Sequence, residues 1–321
     1  MKNLFIIDPL EEISQKLLKD SSTLLMETGL SRGHEIFIAT VHDLFLSSGS
    51  LKIKCKKVLA IDVDERSSHY GYTLDDSREF HGNDFQVIWL RKNPPFDETY
   101  LMHLMIFDQL SKSHPEILFI NSPESIRAVN EKMCIFEFPD FIAESIVTMN
   151  LEEIHNFWLN HKKIVVKGLT GFGGDSVILI ENWEQDLGKL VELSKDGKRF
   201  LMAQKFLENI YSGDKRMTIV NGEVLGVFSR VPAEDSFIAY TGAGATVHLA
   251  TLTEREEEIA HHVGQFLRKH QIFFAGVDLI DGKLVEINIT SPSFFALINR
   301  QKKLGMDLKI WEMIEQKVAA E

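Results

Sequence analysis

The sequence predicts an α/β protein, with an N-terminal parallel sheet followed by smaller α+β subdomains. Three observations carry that expectation. Strand and helix patterns alternate through the first third of the 321 residues, a glycine-rich stretch in the middle lies between two strand patterns, and the last third carries the turn signals Asn221-Gly222 and Asp281-Gly282. Alternating strands and helices favour a covered parallel sheet, whereas Asn-Gly or Asp-Gly between apolar runs favours a tight antiparallel hairpin. A chain of 321 residues exceeds one ordinary core and implies two or three domains of roughly 100–150 residues.

The elements follow in order. A short apolar strand at 3–7 opens the chain. Residues 21–32 read as a helix carrying Leu24, Leu25, Thr28 and Leu30 and stopped at Gly33. Strands follow at 34–40, 85–90 and 117–120, with a helix over about 100–113 between the last two. Residues 123–138 read as a helix or broken helix, and Asn150 with Glu153 forms a capping-box pattern opening a helix to about 160. A strand at 163–167, the glycine stretch, a strand at 176–180, a helix over about 183–194 and a strand at 200–206 complete the middle. Strands 217–220 and 223–228 flank Asn221-Gly222. Thr253 and Glu256 form a second capping box, opening an amphipathic helix with Ile259, Val263, Phe266 and Leu267 on one face. Strands 273–279 and 283–289 flank Asp281-Gly282, and a helix over about 307–319 closes the sequence.

Composition narrows the function. With 35 Lys and Arg against 47 Asp and Glu the net charge is −12, which opposes nucleic acid and anionic lipid in general while leaving room for a local basic pocket. Cys55 and Cys134 lie far apart with no metal spacing, which suits a reducing compartment. The apolar run Leu4-Phe5-Ile6-Ile7 is too short for a signal segment, and no stretch approaches the roughly 20 apolar residues of a membrane span. The expectation is a cytoplasmic protein acting on small molecules, with neither nucleic acid nor membrane as partner.

Four segments carry chemistry. The first runs from Lys167-Gly168 through Gly171 to Gly173-Gly174. Glycines let successive backbone N–H groups approach an anion. The lysine precedes the glycines, so the order is not that of a Walker A loop, and the Rossmann spacing is also absent. On this segment alone a phosphate loop and a flexible turn with an incidental lysine stand level. The second is Asp278 with Glu286 and Asn288, hard oxygen donors of which the last two share a strand face; the set suits Mg²⁺. Parity sharpens this. A two-residue loop at Asp281-Gly282 would put Asp278 and Glu286 on opposite faces, so a three-residue loop (280–282) with Gly282 left-handed is expected, pairing 278 with 284. The third is Gly213-Asp214-Lys215-Arg216 at a strand start, where Arg216 could address a phosphate or carboxylate, although charged strand starts are usually solvated. The fourth is Arg91-Lys92-Asn93-Pro94-Pro95, directly beyond a strand end, where ligands of open α/β sheets bind and an arginine could grip a substrate carboxylate; on this segment alone a rigid surface turn is the stronger reading. His261 and His262 read as solvated helix positions, and no Ser-His-Asp or Cys-His set stands out.

In order, these segments resemble the bacterial (prokaryotic-type) glutathione synthetase family of the ATP-grasp superfamily. The similarity takes in Asp8-Pro9, Lys19-Asp20-Ser21-Ser22, 91–97, Asn130-Glu131-Lys132, 167–174, Ala203-Gln204, 213–216, Arg230-Val231-Pro232, 276–279 and 286–292. The resemblance implies an ATP-grasp fold behind an N-terminal parallel-sheet domain. Its divisions would be a substrate domain at 1–122, a central subdomain with a glycine flap at 123–205, and a C-terminal subdomain at 206–321 with a lid loop at 231–251. It implies an ADP-forming carboxylate–amine ligase working through an acyl phosphate, with γ-glutamylcysteine and glycine as the obvious substrates and a homo-oligomer, dimer or tetramer, as the assembly.

The roles implied are specific. Lys132 and Lys167 would hold ATP phosphates, with Gly171, Gly173 and Gly174 as a flap. Gln204, Lys205, Phe206 and Leu207 would line the adenine slot, with Asp214 near the ribose. Asp278, Glu286 and Asn288 would hold Mg²⁺, or Mn²⁺ in its place. Arg216 and Arg230 would face the transferred phosphoryl group or the acyl intermediate, and Asp20, Ser21, Arg91 and Ser291 would lie near the acceptor substrate.

The sequence departs from the family in the lid. The R-G-N and G-G-R triplets fall on Ile238-Ala239-Tyr240 and Gly244-Ala245-Thr246, and no Lys or Arg occurs between Val231 and Thr253. Each missing charge-assisted contact is worth about 1.5–3 kcal/mol. Thr170 and Asn93 also stand where the family has aspartates. Three explanations are open: a different amine or carboxylate substrate, a lid whose apolar Phe237-Ile238-Ala239-Tyr240 docks on a neighbouring subunit, or an ATP-binding regulatory protein without turnover.

Overall fold

A computed structural model describes residues 1–13, 20–64, 69–171, 176–240, 243–293 and 295–320. The first 128 residues supply β1 (Lys2–Ile6), α1 (Leu10–Ile13), α2 (Ser21–Ser31), β2 (Glu35–Ala39), β3 (Leu44–Ser47), β4 (Ser50–Asp64), β5 (His69–Leu74), β6 (Arg78–His81), β7 (Val87–Leu90), α3 (Glu98–Ser113), β8 (Leu118–Ile120) and α4 (Pro123–Ala128). They form an eight-stranded sheet of order β3-β4-β2-β1-β7-β8, with β5 and β6 also on β4. The four strands β2, β1, β7 and β8 pair in parallel, as expected. The strands between residues 44 and 81 are antiparallel and were not anticipated. Their signal was present: Leu51, Ile53 and Cys55 are buried and alternate with exposed or half-buried lysines.

The centre of the chain forms β9 (Ser145–Thr148), α5 (Leu151–His161), β10 (Ile164–Gly168), β11 (Val177–Ile180), α6 (Trp183–Leu193) and β12 (Leu201–Lys205), with the antiparallel order β11-β10-β12-β9. The rest forms β13 (Asp214–Val220), β14 (Glu223–Val231), β15 (Thr246–Leu249), α7 (Glu254–Lys269), β16 (Phe274–Ile280), β17 (Lys283–Asn288), α8 (Phe295–Lys302) and α9 (Met306–Ala320). Its five-stranded sheet has the order β15-β14-β13-β16-β17. Residues 123–138 are a broken helix: α4 ends at Ala128, and a 3₁₀ turn spans Met133–Glu137.

Caps and turns follow the sequence with two corrections. Thr253 and Glu256 form the full reciprocal box at α7, whose apolar face buries Ile259, Val263 and Leu267. Asn150 caps α5 by accepting from the Glu152 N–H, without the reciprocal bond expected from Glu153. The Asn221-Gly222 turn has φ of 50° and 77°, both left-handed, as a two-residue hairpin requires. Asp281-Gly282 is also a two-residue turn, because Ile280 pairs with Lys283, so the expected three-residue loop is incorrect. Instead a bulge between Asp278 and Leu279 shifts the register, and Val285 is the extra residue that lets Asp278 face Glu286 and Gly276 face Asn288. The expected outcome, these polar side chains on one face, is reached by a different device.

The first and last parts of the chain share a core. Trp311 of α9 donates from Nε1 to the Leu25 carbonyl at 2.9 Å and packs near Trp89 of β7, so α9 closes over α2 and the parallel sheet. Gly29 of α2 lies so close that an added Cβ would come within 2.5 Å of the Trp311 ring. Asn121, just past β8, ties the parallel sheet to the C-terminal one. Its Nδ2 donates to the carbonyls of Phe274 (2.6 Å) and Ile289 (2.7 Å), and its Oδ1 accepts from the Phe274 N–H at 2.7 Å. All three bonds are buried. Asn121→Ala leaves those backbone groups without partners, and each orphaned group costs about 1–3 kcal/mol. The expected result is a loss of about 3 kcal/mol in a urea unfolding curve, with an unchanged slope; an unaltered midpoint would deny Asn121 this bridging role.

Candidate active site

The cleft forms where the central sheet faces the C-terminal one. It has a volume of about 470 Å³, within the usual range for small-molecule sites. On the central side, β10 alternates: Ile164 and Val166 are buried in the subdomain core, while Val165 and Lys167 line the cleft. Gln204 of β12 pairs with Val165 and shares that wall. Lys167 donates from Nζ to Gln204 Oε1 at 2.7 Å, and Gln204 Nε2 in turn donates to Ser145 Oγ at 3.0 Å. Burial pulls Lys167 down to about 8. Lys205, Phe206, Leu207 and Ile210 continue the wall.

The C-terminal sheet supplies charge. Asp214 and Arg216 lie two apart on β13 and so share a face. In register, Asp214 stands opposite Arg230 of β14, and Arg216 opposite Asp278 of β16. Arg216 makes a two-pronged bond to Asp278, with Nη2 at 2.8 Å from Oδ2, and Arg230 makes another to Asp214, with Nε at 2.8 Å from Oδ1. Arg230 Nη2 also reaches Asp278 Oδ1 at 2.9 Å. All four residues are buried, at 5 or 6% exposure. Gly276 makes room for this arrangement, since a Cβ there would come within 2.7 Å of Arg216 Nη1. Burial raises Asp278, but Arg216 and Arg230 outweigh it and hold the carboxylate low. Asp214 is raised, because burial outweighs Arg230. Arg230 stays fully charged: burial opposes this, but Asp278 and Asp214 prevail.

Lys132 closes the cleft from the segment after α4. Its Nζ lies 3.1 Å from Glu286 Oε1 and donates to the Gly171 carbonyl at 2.8 Å. Burial alone would lower Lys132, but Glu286 and Glu131 raise it above the ordinary lysine value. Asn130 Oδ1 accepts from the N–H groups of Lys132 and Met133 at 3.1 and 3.0 Å, shaping the turn. Glu131, quoted in the sequence only as part of a motif, proves a positioning residue. Its Oε1 accepts from the Ile289 and Thr290 N–H groups and from Thr290 Oγ1, at 2.6, 2.8 and 2.9 Å. Its carboxyl is raised by burial and by Glu286. No periodicity marks such a residue; the only sequence signal was an acid beside a lysine.

The remaining expected residues divide. Asp20 and Ser291 line the cleft. The Asp20 carboxylate caps α2, accepting from Thr23 N–H at 2.6 Å and Thr23 Oγ1 at 2.7 Å. Arg91 lies behind the wall: Nε donates to Ser22 Oγ at 2.9 Å and Nη2 to the Pro292 carbonyl at 2.7 Å, while burial lowers it to about 10. Ser21 is fully buried, and its Oγ has no hydrogen-bond partner among the described residues. Gly173 and Gly174, like Lys19, lie outside the described residues, whereas Gly171 lines the cleft. The lid stretch Phe237, Ile238, Ala239 and Tyr240 lines the chain's own cleft. His261 and His262 are exposed, as expected.

Asp278, Glu286 and Asn288 come together as the sequence suggested. Asn288 Nδ2 donates to Asp278 Oδ2 at 3.2 Å and to the Gly276 carbonyl at 3.3 Å, which leaves its Oδ1 to offer elsewhere. Among the described residues no group of three His, Cys, Asp or Glu side chains is placed to hold a metal unaided. Two carboxylates and an amide oxygen fit a hard cation that takes its other ligands from phosphates and water. Among the described residues no helix is long and apolar enough to cross a membrane.

Comparison with known proteins finds relatives along nearly the whole chain. The family model for the prokaryotic glutathione synthetase N-terminal domain matches residues 1–127, and that for the prokaryotic glutathione synthetase ATP-grasp domain matches 131–303. The glutathione synthetase of Bradyrhizobium diazoefficiens is 33% identical over 314 residues, covering 98% of this chain and 97% of the relative. That of Salmonella typhi is 31% identical over 316 residues, covering 98% of each. Among solved structures, D-cycloserine synthetase DcsG superposes with a TM-score of 0.67 at 13% identity, over 98% of this chain and 99% of the other. A RiPP-associated ATP-grasp ligase from Chryseobacterium gregarium, solved with ADP and a leader and core peptide, gives 0.61 at 18% identity, over 98% and 97%. The second likeness, with the family model, establishes the ATP-grasp fold.

Proposed function

The chain belongs to the prokaryotic glutathione synthetase family, and from that premise we propose that it joins γ-glutamylcysteine to glycine by way of an acyl phosphate. Membership makes it an enzyme, an ATP-dependent ligase that forms a C–N bond between a carboxylate and an amine. The observation that carries the finer reading is the convergence of Lys132, Lys167, Arg216 and Arg230 with Asp278, Glu286 and Asn288 in one cleft.

A carboxylate is a poor electrophile, and phosphorylation gives its carbonyl carbon a good leaving group for the amine to displace. Lys132 and Lys167 hold the phosphates of ATP. Gln204, Lys205, Phe206 and Leu207 face the base. Asp278, Glu286 and Asn288 would hold Mg²⁺, or Mn²⁺ in its place, and the metal would offset negative charge on the phosphates. Arg216 and Arg230 face the phosphoryl group in transit, already oriented by Asp278 and Asp214, so their field needs little reorganisation as charge shifts. Asp214 acts through Arg230. Asp20, Ser291 and the turn that Arg91 holds at Pro292 border the substrate end, with Ser21 beside Asp20. We place the enzyme in the cytoplasm as a homo-oligomer, dimer or tetramer, following the family resemblance; light scattering that returns a monomer removes the oligomer.

The direct test is ADP release from Mg-ATP and γ-glutamylcysteine, with and without glycine, and products identified by mass. Glycine-dependent ADP together with glutathione is the expected result. ADP release without glycine points to a leaking acyl phosphate and another amine, and no release with confirmed ATP binding rejects the carboxylate. Glu286→Gln removes one metal-facing charge and the partner of Lys132 and is expected to abolish turnover; unchanged turnover contradicts its metal role.

The pH dependence of ATP binding follows from Lys167. In the free protein burial lowers it to about 8, so it is charged below that pH and neutral above it. Bound phosphate favours the charged form and raises the value again. Affinity is therefore flat through this group below pH 8 and falls above it, by up to about tenfold per pH unit, with uptake of about one proton on binding near pH 9. Calorimetry in two buffers of different ionisation heat measures the uptake, and Lys167→Arg should abolish it.

A further inference from the structure

We propose that Phe237, on the lid between β14 and β15, is a nucleotide-base contact that closes the base end of the cleft against Phe206. The inference rests on the reading of the cleft as a nucleotide site and adds to it a residue that the sequence reading gave no role there.

The geometry is specific. Phe237 lines the cleft together with Phe206, Leu207 and Ile210. Its ring centroid is 6.2 Å from that of Phe206, with the planes at 71°, an edge-to-face contact. Phe206 is itself held in place: it is 6% exposed, stands 5.9 Å from the Tyr211 ring, and has Lys163 Nζ 4.2 Å from its centroid. The lid backbone is folded on both sides of Phe237, because Ser236 N–H donates to the Ala233 carbonyl at 3.1 Å and Ile238 N–H to Ser236 Oγ at 3.1 Å. Phe237 thus meets the cleft wall at Phe206.

Charge points the same way. With no Lys or Arg between Val231 and Thr253, this lid has no side-chain cation for phosphates, while Glu234 and Asp235 are exposed. An aromatic lid residue gains most from the flat, uncharged part of the ligand, and in a nucleoside triphosphate that part is the base.

The test compares ADP with inorganic tripolyphosphate, which has phosphates and no base, on the full chain by calorimetry. Phe237→Ala is expected to weaken ADP about tenfold, the scale of one base–aromatic contact, and to leave tripolyphosphate unchanged. Phe237→Trp is expected to keep ADP affinity and to show an ADP-dependent change in fluorescence absent with tripolyphosphate. Unchanged ADP affinity in Phe237→Ala overturns the proposal, as does equal weakening of both ligands, which marks Phe237 as a support of lid structure. If the unsubstituted protein binds neither ligand, the nucleotide reading itself fails; binding of both with an indifferent Phe237→Ala sinks the base contact alone.

Discussion

Arg216, Arg230, Asp214 and Asp278 stand on three neighbouring strands, buried and alternating in sign, and removing any one deprives an opposite charge of a partner in the interior. Such a group is a poor source of stability, since taking each ion out of water costs several kcal/mol before the attraction offsets it. What it provides is position. The two guanidinium planes are fixed by two-pronged carboxylate bonds and cannot sweep through rotamers as a solvated arginine would. Gly276 is the local consequence, because any side chain there would occupy the space of Arg216.

Charge balance extends the constraint. Around the cleft, Lys132, Lys167, Lys205, Arg216 and Arg230 face Asp20, Glu131, Glu286, Asp214 and Asp278, five cations against five carboxylates among the described residues. A triphosphate entering a balanced cleft carries an uncompensated negative charge into partly buried surroundings, where each unit costs far more than in water. A divalent cation accompanying the nucleotide offsets that excess. The bulge opposite Asp278 matters for this reason. It turns Glu286 and Asn288 to the same side as Asp278, where hard oxygen donors can meet such a cation.

How much of this was legible depended on the range of the interaction. Periodicity and turn chemistry are local, so the parallel strands, the amphipathic α7 and the positions of both hairpin turns could be read directly. Parity demanded an extra residue near Asp281-Gly282, but whether it sat in the loop or in the strand depended on packing against β13, which no local pattern records. The same distinction divides the site. Lys167, Asp278, Glu286 and Asn288 announced themselves by residue type and spacing. Glu131 and Asn121 act by accepting from, or bridging, backbone groups more than a hundred residues away, and a lone acid or amide in a sequence carries no mark of that. Arg91 shows the converse: its residue type and place beyond a strand end suggested a substrate grip, yet its donors go to Ser22 and Pro292.

The lid is where local reading and tertiary context diverge most. Read as sequence, an apolar stretch without cations suggested a surface meant for another molecule. In the fold, Phe237, Ile238, Ala239 and Tyr240 are wall residues of the cleft they follow in the chain. That placement changes what the missing arginines mean. A cationic lid would add attraction for phosphates to a site that already holds Lys132, Lys167, Lys205, Arg216 and Arg230. An apolar lid excludes water, which lowers the local dielectric and strengthens every existing ion pair and phosphate contact beneath it. On the proposed reaction this has a chemical purpose too, because an acyl phosphate reached by water is hydrolysed before the amine can attack. The positive charge in this cleft comes from strands and the lysine segment, so the lid is left to keep the site dry.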